Sequence, residues 1–203
     1  MKKSIETHAA RFDEIAGEYD DSQNDTEEYR ACVSLVVEHA DPRPDDVVAD
    51  LGTGTGAIAL ALAGDAGEVV ARDISDGMME RAREKADERG IENVDFAEGR
   101  FREPNVEAAD VVVSNFAMHH LGDEEKREAI EAVADLGPRR FVLGDVMFFG
   151  EPDPDEPFYS PEVDDPSTVG HLADALTDAG FSLTAVERVH DQVGVLVAER
   201  ADE

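Results

Sequence analysis

The chain's 203 residues carry 49 acids against 18 bases, a formal net charge of −31. That length holds one domain (1–203) with a substantial core and is short for two, and no apolar run nears the roughly 18 residues of a membrane span. The single cysteine, Cys32, closes no internal disulfide and reads as a small hydrophobe on a helix, so a reducing cytoplasm is expected.

The acids are dispersed along the whole chain, and only four of the bases are lysines (Lys2, Lys3, Lys85, Lys126). Such a surface repels itself in dilute buffer. At molar salt the screening length falls to about 3 Å and the repulsion largely disappears, so a salt-adapted protein is expected. No basic patch or stacking platform for nucleic acid appears. The start, MKKSIETHAARF, has no apolar run after its lysines and is not expected to act as a secretory signal.

In chain order, residues 5–19 place Ile5, Ala9, Phe12, Ile15, Ala16 and Tyr19 at helical spacing. After the polar DDSQND, residues 25–40 repeat the pattern, with Asp25 or Thr26 as N-cap and Tyr29, Cys32, Val33, Val36 and Val37 on one face. These two helices (1–40) are expected to cap the active site. VVADLGTGTGAIALALA (47–63) reads as a buried strand, a glycine-rich turn and an apolar helix. A strand turning sharply into a helix needs residues without a Cβ, and the helix start offers unpaired N–H groups to a polar or anionic ligand. This is a nucleotide-type cradle. Gly52-x-Gly54-x-x-Ala57, with Asp73 21 residues after Gly52, also satisfies the dinucleotide fingerprint, so a nicotinamide oxidoreductase stays open here.

Residues 68–73 read as a second strand ending on an acid, followed by a helix capped by Ser75 or Asp76 and stopped by Gly90. Strands are expected at 93–99, 109–115 and 139–146, with a helix over 122–136. Residues 150–166 hold five prolines and seven acids, an acidic loop or lid. A helix over 168–179 closes at Gly180, and 181–190 and 193–199 lie close enough to pair antiparallel as a hairpin. The strand–helix alternation before them implies an α/β fold with a parallel sheet and right-handed crossovers.

Five helix-separated strands closed by an antiparallel hairpin resemble the class I S-adenosylmethionine-dependent methyltransferases. The stretches VVADLGTGTG, ARDISDGMM, ADVVVSNFAMHHL and RRFVLGD are similar to that family's motifs, in order. RFDEIAGEYDDSQNDTEEYR resembles the opening of small-molecule methyltransferases of ubiquinone and menaquinone biosynthesis. EEYR, HHLGDEEKREAI and the late AGF resemble short bacterial methyltransferases of the YrrT type. The dispersed acidity resembles that of proteins from halophilic archaea. The likeness implies a Rossmann-like three-layer sandwich with a mostly parallel seven-stranded sheet. It implies methyl transfer from S-adenosylmethionine to a small-molecule acceptor, with S-adenosylhomocysteine as product. A monomer or homodimer without nucleic-acid or membrane partners is expected. A non-catalytic S-adenosylmethionine-binding protein of the same descent is a further alternative.

The resemblance also implies roles. Gly52, Thr53, Gly54 and Gly56 would let the backbone pass close to the cofactor, Asp50 would lie beneath its methionine moiety, and Asp73 would accept from both ribose hydroxyls. Ile74 and Met78 would sandwich the adenine, while Asn115 and Phe116 would face the sulfonium and the acceptor. Arg100 stands where the family has an acid for the adenine amino group, and arginine cannot accept a hydrogen bond. Glu98, a backbone group or stacking alone must then serve.

His119 and His120 fall just past the fourth strand, at the sheet's carboxyl edge, where one of them could act as a base. Alternatively one packs or caps the next helix and the other faces solvent. A metal at this pair is not expected, because adjacent residues point apart and no third ligand is spaced to join them. Tyr19, Tyr29, Phe158 and Tyr159 are candidate walls of the acceptor pocket, or ordinary packing residues.

Overall fold

The computed structural model describes residues 5–17, 19, 26–151 and 157–200, and no side chain is described for residues 5 and 6. Its elements are α1 (Ile5–Ile15), α2 (Glu27–Ala40), β1 (Val47–Leu51), α3 (Ala57–Leu62), β2 (Glu68–Asp73), α4 (Asp76–Arg89), β3 (Val94–Glu98) and β4 (Val111–Asn115). A 3-10 turn (Met118–His120), α5 (Asp123–Asp135), β5 (Arg140–Phe148), β6 (Ser167–Thr168), α6 (Val169–Asp178), β7 (Ser182–His190) and β8 (Val193–Glu199) complete the order.

The helix starts are set by side chains. Thr26 Oγ1 accepts from the Tyr29 N–H at 3.1 Å and Ser75 Oγ from that of Met78 at 3.1 Å, each satisfying an otherwise orphaned donor. Of the two N-cap candidates for α2, Asp25 lies outside the described residues. At the other end of α4, Gly90 takes the left-handed conformation that closes a helix.

The strands run in the order β3-β2-β1-β4-β5-β8-β7. β1 to β5 are parallel, with Val48 flanked by Val69 and Val111, whereas β8 runs antiparallel to both β5 and β7. This is the mostly parallel sheet with an antiparallel C-terminal pair that the sequence implies. An eighth strand was not foreseen: Ser167–Thr168 pairs with Met147 and Phe148 at the end of β5, too short to carry an alternating pattern.

Two apolar clusters cover the sheet's faces. One joins Leu51, Val112 and Leu143 to Ile130 and Val133 of α5 and Leu172 and Leu176 of α6. The other joins Val48, Val69, Val113 and Val195 to Val36 of α2 and Ile58 and Leu62 of α3. Buried on both faces, β1, β4 and β8 read as near-continuous apolar runs. The strand order reverses between β1 and β4, the crevice where open α/β sheets bind ligands. A cavity of about 630 Å³ opens there.

Candidate functional site

The glycine-rich turn is pinned before it reaches the cavity. The N–H groups of Gly52 and Thr53 both donate to the Arg72 carbonyl, at 2.8 and 3.0 Å. Gly52 has φ +76°, and a Cβ on it would stand 2.4 Å from that of Ala117, so the loops after β1 and β4 touch there. Gly54, at φ +53°, lines the cavity, and a Cβ on it would meet nothing within 4 Å. Its missing side chain leaves a hollow that a ligand can fill. Gly56 does not line the cavity: a Cβ there would sit 3.0 Å from Ala82 Cβ, so this glycine serves the packing of α3 on α4.

Two buried acids face this hollow. Asp50 Oδ2 accepts from Thr53 Oγ1 at 2.7 Å and the Ala59 N–H at 3.1 Å. Burial pushes its carboxyl up to about 7, against the pull of those two hydrogen bonds and with a smaller push from Asp73. Asp73 accepts from the Gly54 N–H at 2.7 Å and the Ser75 N–H at 2.9 Å. Burial raises it too, against those hydrogen bonds. A carboxylate has about four lone-pair sites, so both acids keep capacity for a ligand. Ile74 and Met78 follow Asp73 on the cavity wall.

Asn115, at the end of β4, also lines the cavity, and neither its side-chain oxygen nor its nitrogen has a hydrogen-bond partner among the described residues. Buried amides are rarely left so, because an unmade hydrogen bond costs about 1–3 kcal/mol. Phe116 beside it holds φ +51°, a left-handed backbone uncommon outside glycine and seen where function shapes a turn. Gly99, Arg100 and Phe101 bring the end of β3 to the wall. Arg100 exchanges backbone hydrogen bonds with Glu103, both 3.0 Å, and its guanidinium lies 3.9 Å from Glu98. Glu98 itself is off the wall.

The N-terminal helices close the opposite side. His8 and Phe12 of α1 line the cavity, as do Tyr19 and Tyr29. Asp13 of α1 accepts from Ser75 Oγ at 2.6 Å and the Gly77 N–H at 3.0 Å, latching α1 to the start of α4. Phe158 and Tyr159, expected as pocket walls, are not on the cavity. Phe158 packs on Phe116 and His190, with ring centroids 6.4 and 5.5 Å apart, and Tyr159 packs on Phe148 at 5.6 Å.

The two histidines part in role. His119 is buried and off the cavity, with its N–H 3.0 Å from one oxygen of Asp145 and Nδ1 2.5 Å from the other. Burial pulls its pKa down, but Asp145 and Asp164 outweigh that and leave it raised. His120 lines the cavity, with Nδ1 2.9 Å from Asp164 Oδ1. Burial and the neighbouring His119 lower its pKa, against the pull of Asp164. The other oxygen of Asp164 accepts from the Ser160 N–H at 2.8 Å. The Asp165 N–H donates to the His119 carbonyl at 2.7 Å, docking this part of the acidic loop on the histidine turn. Residues 152–156 of that loop lie outside the described residues. The grounds for setting a metal aside are corrected here. The imidazole centroids are only 4.1 Å apart, and Asp164 supplies a third ligand atom, all three lying within 4.8 Å.

A family model described as a methyltransferase domain matches residues 48–136, from β1 through α5. An uncharacterised methyltransferase of Staphylococcus carnosus is 33% identical over 149 residues, 69% of this chain and 68% of the relative. The chain belongs to the methyltransferase family. A second uncharacterised methyltransferase, from Bacillus pumilus, is 33% identical over 146 residues, 68% of the chain; the match spans 66% of that relative's length. Magnesium protoporphyrin IX methyltransferase from Synechocystis, solved with bound S-adenosylmethionine, superposes with a TM-score of 0.76 at 21% identity. That superposition covers 99% of each chain, so the methyltransferase shares its fold. No helix among the described residues is long and apolar enough to cross a membrane.

Proposed function

We propose that this methyltransferase transfers a methyl group from S-adenosylmethionine to a small-molecule acceptor. The observation that carries the reading is the hollow at Gly54, walled by Asp50 and Asp73 and faced by the unpartnered amide of Asn115. Asp73 is assigned to the ribose hydroxyls, Asp50 to the methionine ammonium, and Ile74 and Met78 to the two sides of the adenine. With Arg100 at the end of β3 and Glu98 off the wall, the adenine amino group falls to backbone groups of the 99–101 segment or to stacking alone. Asn115 and Phe116 are assigned to the sulfonium side, next to the acceptor.

Bound S-adenosylmethionine supplies a methyl group that already carries its leaving group, so the chain's task is to align the reactants and exclude water. The walls from α1 and α2 serve that purpose, and His119 and His120 are the candidates for moving a proton. A pocket of this size suits a small acceptor, and the net charge of −31 suits a salt-rich cytoplasm. Calorimetric titration with S-adenosylmethionine, S-adenosylhomocysteine and NAD in about 2 M KCl, where charge repulsion is screened, tests the reading. Binding of the first two and not of NAD is expected. Absence of both from folded protein would overturn it.

A further inference from the structure

We infer that His120 is the general base of this methyl transfer, that Asp164 positions it, and that the acceptor is an uncharged, flat molecule presenting a phenolic or enolic hydroxyl. The inference rests on the function proposed above and deepens it.

Of the two histidines only His120 reaches the cavity. His119 has spent both its backbone N–H and its Nδ1 on Asp145, and its Nε2 lies 4.0 Å from Asp164, too far for a hydrogen bond. His120 instead gives Nδ1 to Asp164 at 2.9 Å, which fixes the tautomer and leaves the lone pair on Nε2. Asp164 is itself held by the Ser160 N–H. A base oriented by a carboxylate that is oriented in turn by the backbone is the arrangement of an activated nucleophile site.

Groups of both signs surround His120, Asp164 and Asp145 on one side and His119 on the other. His119 of the same turn, held by Asp145 of β5, stands one ring away at 4.1 Å. From α1, His8 and Phe12 pack against the His120 ring at 5.2 and 5.5 Å. Asp164 is the only carboxylate in hydrogen-bond contact with His120 among the described residues.

The walls define the acceptor. Around His120 they are aromatic: Phe12, Tyr29 and Phe116 all line the cavity, and Tyr29 meets Phe116 edge-on at 5.5 Å. The cavity's arginines are already matched to acids. Arg72 lies 2.9 Å from Asp95, Arg100 3.9 Å from Glu98, and Arg102 2.8 Å from Glu128. Each of the three arginines lining the cavity thus faces an acid, which leaves none of them to take up an acceptor's carboxylate or phosphate. An imidazole that lines the cavity and is oriented by a carboxylate serves an acceptor O–H, whose oxygen becomes nucleophilic only as the proton leaves. In the step, the hydroxyl oxygen forms a bond to the methyl carbon while its proton passes to His120 Nε2. The carbon–sulfur bonding pair stays on sulfur, which becomes a neutral thioether. The imidazolium so formed is stabilised by Asp164 and returns its proton to water.

The probe is 4-nitrophenol, followed by its binding to S-adenosylhomocysteine-loaded protein and by its methylation with S-adenosylmethionine. We expect 4-nitrophenol to be methylated, and an aniline of the same shape to be methylated far more slowly. His120→Gln should lower turnover about 100-fold or more, with S-adenosylhomocysteine affinity unchanged within about twofold. Asp164→Asn should lower kcat more than KM, because the carboxylate that orients the His120 ring is gone.

On the unmodified protein, nitrogen-15 imidazole NMR should find neutral His120 protonated at Nδ1. The opposite tautomer would overturn the inference even if the variants fail to fold. Retained turnover in a folded His120→Gln, or an unchanged kcat in Asp164→Asn, would also overturn it. Loss of activity in EDTA with recovery on adding Zn²⁺ would overturn it in favour of a metal at His119, His120 and Asp164. Failure of S-adenosylhomocysteine to bind the unmodified protein would instead remove the function on which the inference stands.

Discussion

Replacing Asp50 by Asn isolates the energetic consequence of a buried acid beneath the glycine-rich turn. In the folded protein burial holds the Asp50 carboxyl at about 7, against 3.8 for an ordinary aspartate. Each pKa unit corresponds to about 1.4 kcal/mol, so full ionisation in the ligand-free protein costs about 4 kcal/mol of stability. The sign follows from the folded value being the higher one. The unfolded chain ionises from near pH 4 while the folded chain keeps its proton. The stabilisation is therefore complete below about pH 4 and is lost as pH rises towards 7. Asn keeps an acceptor for Thr53 and Ala59 but cannot ionise. The stability of Asp50→Asn relative to the unmodified chain should therefore rise by about 2–3 kcal/mol between pH 5 and pH 8. Urea denaturation at several pH values, in the same molar KCl and without cofactor, measures that difference. A difference that stays constant within about 0.5 kcal/mol across the range would refute the argument, since every other titrating group is common to both proteins. If Asp50 receives the cofactor's ammonium as proposed, binding at pH 6.5 should release a proton, and calorimetry in buffers of differing ionisation enthalpy reports it.

Further outcomes separate binding from stability. Gly54→Ala, at φ +53° with open space beyond, should cost about 1 kcal/mol in stability but weaken S-adenosylhomocysteine binding at least tenfold; titration and thermal unfolding together check it. Gly56→Ala should behave the other way, lowering the melting temperature more because its Cβ would press on Ala82 at 3.0 Å. Asn115→Ala should leave the ligand-free protein as stable or more so, since it removes two unmatched buried groups. It should nonetheless weaken cofactor binding; a strongly destabilised variant with intact affinity would contradict this. Raising KCl from about 0.1 to about 1 M shrinks the screening length from about 10 to about 3 Å. The unfolding midpoint should rise with it, and a flat response would remove self-repulsion as the meaning of the −31 charge.

What the sequence made legible were features carried by neighbours in the chain. Thr26, Ser75 and Gly90 announce helix ends because caps act over three or four residues. The apolar runs of β1 and β4 announce strands covered on both faces. The turn from Gly52 to Gly56 is similarly local, although only the fold separates Gly54, open to the cavity, from Gly56, closed against Ala82. The histidine cluster was not legible. Its partners Asp145 and Asp164 lie 26 and 44 residues away and are two acids among 49. Helical spacing rightly put Phe12 on the inner face of α1, but periodicity reports only that a face is covered. It does not say whether protein or a cavity covers it, and His8 one turn earlier gave no apolar signal at all. Phe158 and Tyr159 drew attention as an aromatic pair in an acidic loop. They are instead what lets that loop rest on Phe116, His190 and Phe148.

The place of β8 bears on how the molecule is assembled during synthesis. Val193–Glu199 is the last described strand to leave the ribosome, yet it lies between β5 and β7, pairing with both. Until it arrives, β5 offers an open hydrogen-bonding edge along a strand holding Val142, Leu143 and Met147, and β7 has no neighbour in the sheet. A nascent chain halted before residue 193 therefore displays an adhesive margin of the kind that seeds aggregation.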